Sequence, residues 1–172
     1  MIYSAAGQVS VIVPYEISGH ATTSVSVQYL TLRSTGVSVP VTTAAPGIFT
    51  LNGTPQGAIL NQDSSVNSPT NGADPGSVVS IFATGEGETT PAGIDGIVNQ
   101  TIFPAPLLPV TVQIAGQNVP VEYSGAAPDE PAGVLQVNAM IPSSVPRGVY
   151  VPVVIMVGNV SSQTGVMVAI KP

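Results

Sequence analysis

The stretch Gln8-Val9-Ser10-Val11-Ile12-Val13-Pro14 returns near the other end of the chain as Gln136-Val137-Asn138-Ala139-Met140-Ile141-Pro142. Farther on, Thr35-Gly36-Val37-Ser38-Val39-Pro40-Val41 is answered by Thr164-Gly165-Val166-Met167-Val168-Ala169-Ile170, and a Tyr-Ser step (Tyr3-Ser4, Tyr123-Ser124) precedes each copy. Matching segments in the same order mark a repeated structural unit. Apolar residues at every second position read as strands with one buried face. A one-residue slip would turn that whole face outward. Val9, Val11 and Val13 are therefore expected in places equivalent to Val137, Ala139 and Ile141.

The copies differ in what comes before them. Some fifty residues of strand-like sequence, Ser77 to Val121, lead into the later copy, whereas the earlier one starts almost at its Tyr-Ser step. Strands are expected at Val9 to Val13, Ser24 to Leu32, Val37 to Thr42, Val78 to Ala83, Val110 to Ile114, Val119 to Tyr123, Leu135 to Met140, Val151 to Val157 and Gly165 to Ile170, from alternation and β-branched content. Turns fall where Gly, Asn and Pro cluster, as at Ala115-Gly116 and Gly158-Asn159. Short strands at this spacing, with hairpins and no helical period, predict an all-β fold of two immunoglobulin-like β-sandwich units in tandem. The expected division is an incomplete unit over 1–49, lacking its N-terminal strands, an Asn/Ser/Gly/Pro-rich connector over 50–71, and a complete unit over 72–172. Ile59 and Leu60 predict that the connector packs locally rather than swinging in solvent.

Composition excludes several functions. Charged residues make up 7% of the chain against 44% hydrophobic, so it is not of the highly charged disordered class despite 18 Gly and 17 Pro. A net charge of -6 with three cations, Arg33, Arg147 and Lys171, leaves little to neutralise phosphates, which argues against nucleic acid and anionic membrane surfaces. No apolar run reaches the roughly 20 residues of a membrane helix. The chain has no cysteine, hence no disulfide or thiolate metal site.

Three longer motifs carry a resemblance. Ala44-Ala45-Pro46-Gly47-Ile48-Phe49, then Gly57-Ala58-Ile59-Leu60-Asn61-Gln62-Asp63 with Val66-Asn67-Ser68-Pro69, then Pro75-Gly76-Ser77-Val78-Val79-Ser80-Ile81-Phe82-Ala83-Thr84-Gly85, resemble the C-terminal region of many large exported proteins of Acidobacteria, of the Solibacter type. The resemblance runs through almost the whole chain. It implies an extracytoplasmic β-sandwich module without catalytic residues, located outside the cell or on its surface. The export signal this requires is not in the chain, whose N-terminus has neither the charged region nor the apolar core of a signal peptide. Glu86-Gly87-Glu88 stands where that family has an apolar turn.

Residue chemistry agrees with a protein that is not an enzyme. His20 is the single histidine, and no Gly-x-Ser-x-Gly elbow exists to present a nucleophile to it. Glu86 and Glu88 read as a solvated acidic loop sooner than as a glycosidase pair, and there is no Trp to line a sugar cleft. The sequons at Asn52, Asn99 and Asn159 read as chance occurrences. No cofactor is expected, apart from one weak Ca²⁺ candidate. Asp74, Glu86, Glu88 and Asp95 fall in loops around the first strand of the later unit, and Ca²⁺ takes six to eight oxygens from such groups.

A sandwich unit without its front strands exposes apolar side chains and unpaired backbone groups. One added strand burying three apolar side chains would contribute about 5 to 9 kcal/mol before ordering costs. The fillers are a strand from a neighbouring copy, a segment of a larger parent protein, or the chain's own Thr50 to Asn71 folding back. Addition between copies, with Val9, Val11 and Val13 as the assembly residues, makes a homo-polymer: a filament or surface layer. The other expectation is a monomeric adhesion or carbohydrate-binding module at the C-terminus of a larger exported protein, with a carbohydrate or cell-surface ligand.

Overall fold

The computed structural model describes residues 3–172; Met1, a native or an added start, lies outside them. The described residues form an all-β protein. Residues 3–43 carry β1 (Tyr3–Ala5), β2 (Gln8–Ser10), a 3-10 turn at Tyr15–Ile17, β3 (Thr22–Val25), β4 (Gln28–Tyr29), β5 (Leu32–Arg33) and β6 (Val37–Pro40). The remainder carries β7 (Gly47–Ile48), β8 (Ile59–Leu60), β9 (Val78–Thr84), β10 (Thr89–Thr90), β11 (Ala105–Pro106), β12 (Val110–Ile114), β13 (Gln117–Val119), β14 (Val121–Ala126), β15 (Leu135–Met140), β16 (Gly148–Val157), β17 (Val160–Ser161) and β18 (Met167–Ile170).

Residues 44–172 build a β-sandwich. One sheet runs β14-β15-β9-β7, with β8 also on β9; the other runs β13-β12-β16-β17, with β18 also on β16. Between them lie Val79, Ile81, Ala83, Leu135, Val137 and Ala139 from the first sheet and Val112, Ile114, Val153, Ile155, Val157 and Val168 from the second. Every second residue of β9 and β15 is buried, as alternation demands of a sheet with one covered face. The expected strand Val119 to Tyr123 crosses from one sheet to the other. Pro120, which has no N–H for a ladder, separates β13 from β14.

The end of the expected incomplete unit, from Ala44 on, and the expected connector over 50–71 both supply strands to this sandwich. Gly47 and Ile48 pair with Thr84 and Ala83, and Ile59 and Leu60 pair with Ile81 and Ser80. Ala44, Ile48 and Ile59 are in the core. Thr50 to Asn71 is thus committed to the later unit and does not fill the earlier one. Its Asn67, fully buried, uses its side-chain amide as a one-residue strand: Nδ2 donates to Ala169 O (2.9 Å) and Oδ1 accepts from Ala169 N (2.8 Å). Gln163 does the same at the edge strand β7, with Nε2 donating to Ile48 O (2.6 Å) and Oε1 accepting from Ile48 N (2.9 Å).

Residues 3–40 repeat the pairing of residues 123–170. β1 and β2 are antiparallel with Tyr3 opposite Ser10, Ser4 opposite Val9 and Ala5 opposite Gln8. In β14 and β15, Tyr123 stands opposite Asn138, Ser124 opposite Val137 and Gly125 opposite Gln136. Farther along, Gln28 faces Arg33 and Tyr29 faces Leu32, as Met156 faces Ser161 and Val157 faces Val160. Thr23 faces Val39 and Ser24 faces Ser38, as Val151 faces Val168 and Pro152 faces Met167. Even a side-chain bond recurs: Ser34 Oγ accepts from Val27 N (2.9 Å), and Ser162 Oγ accepts from Ile155 N (3.1 Å).

The expected single strand Ser24 to Leu32 is corrected by this pairing. The chain reverses at Leu30 and Thr31, so β4 and β5 form a hairpin where the later copy has its Gly158-Asn159 turn. Leu30 adopts a left-handed φ of 53° there, a conformation uncommon for a bulky residue.

Candidate functional site

Shared pairing with opposite burial singles out residues 3–41. No described residue from Ser4 to Thr43 is buried. Val25, Val27 and Val37 are 51%, 54% and 62% exposed, while Val153, Ile155 and Val166, which hold the same places in the later copy, are 1%, 0% and 2% exposed. Val9, Val11 and Val13 are likewise exposed, and their counterparts Val137, Ala139 and Ile141 are fully buried. Val9 alone of the three lies in a strand; Val11 and Val13 follow β2. Tyr29 and Leu32 at the end of the β4-β5 hairpin are also exposed.

In the later copy the covering comes from β9 and β12. β9 pairs along β15, Val137 opposite Ile81, and β12 along β16, Ile155 opposite Val112. Among the described residues β1 with β2, and β3 with β6, are two-stranded, and no described strand occupies the edges equivalent to those that β9 and β12 occupy. No charged side chain sits at Val9, Val25, Val27, Val37 or Val39. Free strand edges beside exposed apolar side chains are the features that added strands use.

A second constellation fixes this arm to the sandwich. Pro14 leads into the 3-10 turn, and Tyr15 N donates to Asp95 Oδ1 (3.0 Å) while its phenol donates to Glu86 Oε1 (3.1 Å). A Cβ at Gly93 would run into the Tyr15 ring, so only glycine admits it. Glu86 is held by glycines on both sides. Gly85 and Gly87 have φ of +78° and +75° and lie against the carbonyls of Ala45 and Thr43, positions closed to other residues by both conformation and space. Burial pushes the Glu86 carboxyl up, partly offset by bonds to its own backbone and to the Tyr15 phenol. Burial, and then the Glu86 charge, pushes the Tyr15 phenol up as well.

The acidic residues expected to share a cation are dispersed. Asp74 and Glu86 flank opposite ends of β9, a seven-residue strand on the order of 23 Å long. Asp74 Oδ2 is paired with Lys171 Nζ (2.9 Å), Glu86 and Asp95 are engaged by Tyr15, and Glu88 is exposed. Among the described residues no group of three or more His, Asp or Glu side chains is placed to hold a metal. His20 is exposed. The Asn99 sequon is closed to modification, since Asn99 is buried and its Nδ2 donates to Glu130 O (3.3 Å).

Sequence reasoning missed Tyr15 and Asn67. The Glu86 departure from the apolar turn was the visible signal for the first, and the Val-Asn-Ser motif, polar within an apolar neighbourhood, for the second. Neither named its partner. Comparison with protein-family models, curated proteins and solved structures finds no match to this chain.

Proposed function

We propose that the protein is a structural, non-catalytic subunit of the cell exterior that associates by β-strand addition, and that residues 3–41 are the rear half of an immunoglobulin-like sandwich awaiting its front strands. The observation that carries this reading is the identity of pairing between the two copies combined with their opposite burial. Low charge supports it, because few like charges oppose edge-to-edge contact. The resemblance to exported proteins supports the extracellular setting.

Addition between copies is heterologous and grows head to tail into a filament or surface layer. A second reading has its own support: the described chain holds two rear halves and one front half, so exchange of front halves among copies leaves as many faces open as before. The strands then belong to a larger exported protein of which this chain is an adhesion or carbohydrate-binding module. Sedimentation and negative-stain microscopy of the chain at neutral pH separate the two. Fibres that pellet, and that Val11→Asp abolishes, support addition between copies. A monomer whose residues 3–41 are cut readily by protease supports the second reading. Fibres unaffected by Val11→Asp, or dissolved by salt alone, would mean that another, charged surface holds them.

A further inference from the structure

We infer that the open face of residues 3–41 takes a front half of this same repeat, in one defined register: an antiparallel strand of the Val79-Ser80-Ile81 kind along β2, with Ser10 opposite the residue in Ser80's place, and a strand of the Val110–Ile114 kind along β3 and β4, with Val27 opposite the residue in Val112's place. The inference rests on the strand-accepting reading above and names the occupant, which that reading leaves open.

The later copy supplies the template. There Asn138, Ser10's counterpart, stands opposite Ser80, and Ile155, Val27's counterpart, stands opposite Val112. The acceptor side of both contacts is already built in residues 3–41, because the pairings on the far side of each acceptor strand are the same in both copies: β1 on β2 as β14 on β15, β5 on β4 as β17 on β16, and β6 on β3 as β18 on β16. Strand addition then fixes register through the inward set. Val9 meets an aliphatic residue in Ile81's place, since Val137 faces Ile81, and a one-residue slip would present polar side chains to the interior. The partner is thus a polypeptide segment with alternate Val or Ile residues, an uncharged inner face and a following hairpin. A sugar or an amphipathic helix does not satisfy two open strand edges.

The test is a chain in which residues 44–120 are repeated ahead of Met1, so that the added front half enters the first copy through its Tyr-Ser step as the native one enters the second. Cysteine is absent from the natural sequence, so engineered thiols are unambiguous. With Ser10→Cys and Ser80→Cys in the added segment, mild oxidation is expected to form an internal disulfide, and Gln8→Cys in place of Ser10→Cys is expected to form several-fold less. In the cysteine-free version, amide exchange in β2 and β3 should slow by at least about 100-fold relative to the unextended chain. A product with one protected sandwich and labile residues 3–41 would overturn the inference, as would equal cross-linking at Gln8 and Ser10. Success here together with a strictly monomeric unextended chain would leave this inference standing and remove addition between copies. Fibres from the unextended chain with failure here would do the reverse.

Discussion

At the scale of single residues, buried polar side chains decide how the arm and the connector are held. Asn67 answers both backbone groups of Ala169 in a fully buried setting. Leaving a buried donor or acceptor without a partner costs about 1–3 kcal/mol, so Asn67→Ala is expected to destabilise the sandwich by about 2–4 kcal/mol in denaturant unfolding; a loss under about 0.5 kcal/mol would show that water replaces the amide. Tyr15 gives a pH signature. Its docked phenol is pushed above its ordinary value, so its contribution is complete below pH about 10 and is lost as pH rises from there through the docked value. Glu86 is shifted upward too, so its contribution is complete below its ordinary value of about 4.3 and declines as pH rises through the docked value. Protease cutting between Pro14 and His20 should therefore be slowest in mild acid and accelerate above pH about 10. Tyr15→Phe should abolish the alkaline acceleration. Alternation in the sequence announced the strands. It could not announce Tyr15, whose bond reaches a residue 71 positions away.

Among the elements, the paired copies offer an internal control that few chains provide. Ile155 and Val27 hold the same place in equivalent strands, one buried and one open. Ile155→Asp puts a carboxylate among aliphatic side chains and should cost more than about 4 kcal/mol. Val27→Asp should change the thermal unfolding of the isolated monomer by no more than about 0.5 kcal/mol. Similar losses at both positions would show that the arm is covered in solution. Strand positions were legible because period two survives wherever one face is buried. Two boundaries were not. Leu30-Thr31 reverses the chain without the Gly or Asn that marks the equivalent Gly158-Asn159, and at Pro120 the short run Val119-Pro120-Val121 passes between sheets.

The whole molecule is one β-sandwich, residues 44–172, preceded by residues 3–41, whose two-stranded ladders repeat part of its pairing. The repeat was legible because its motifs keep their order. The contribution of residues 44–71 was not, because polar composition masked a few decisive apolar contacts and the Asn67 bridge. A fragment of residues 44–172 should unfold cooperatively with nearly the melting temperature of the full chain. A fragment of residues 72–172 loses Ala44, Ile48, Ile59 and the Asn67 amide and should be far less stable or unfolded. Equal melting of the two fragments would restore the connector to a passive role.

Gln163 has a consequence for direction. The two copies run in step up to Ser34 and Ser162, and Gln163 is the residue that the later copy has in addition before its Thr-Gly step. That extra side chain occupies the backbone of Ile48 on the outermost strand of its sheet, and residues 3–41 have no residue in its place. In the strand-addition reading this makes the molecule a plug and socket: one amide occupies the Ile48 border, while residues 3–41 keep two-stranded ladders with free edges. On that reading Gln163→Ala is expected to free the Ile48 backbone for a second strand, seen as a larger sedimenting species than the unaltered chain forms.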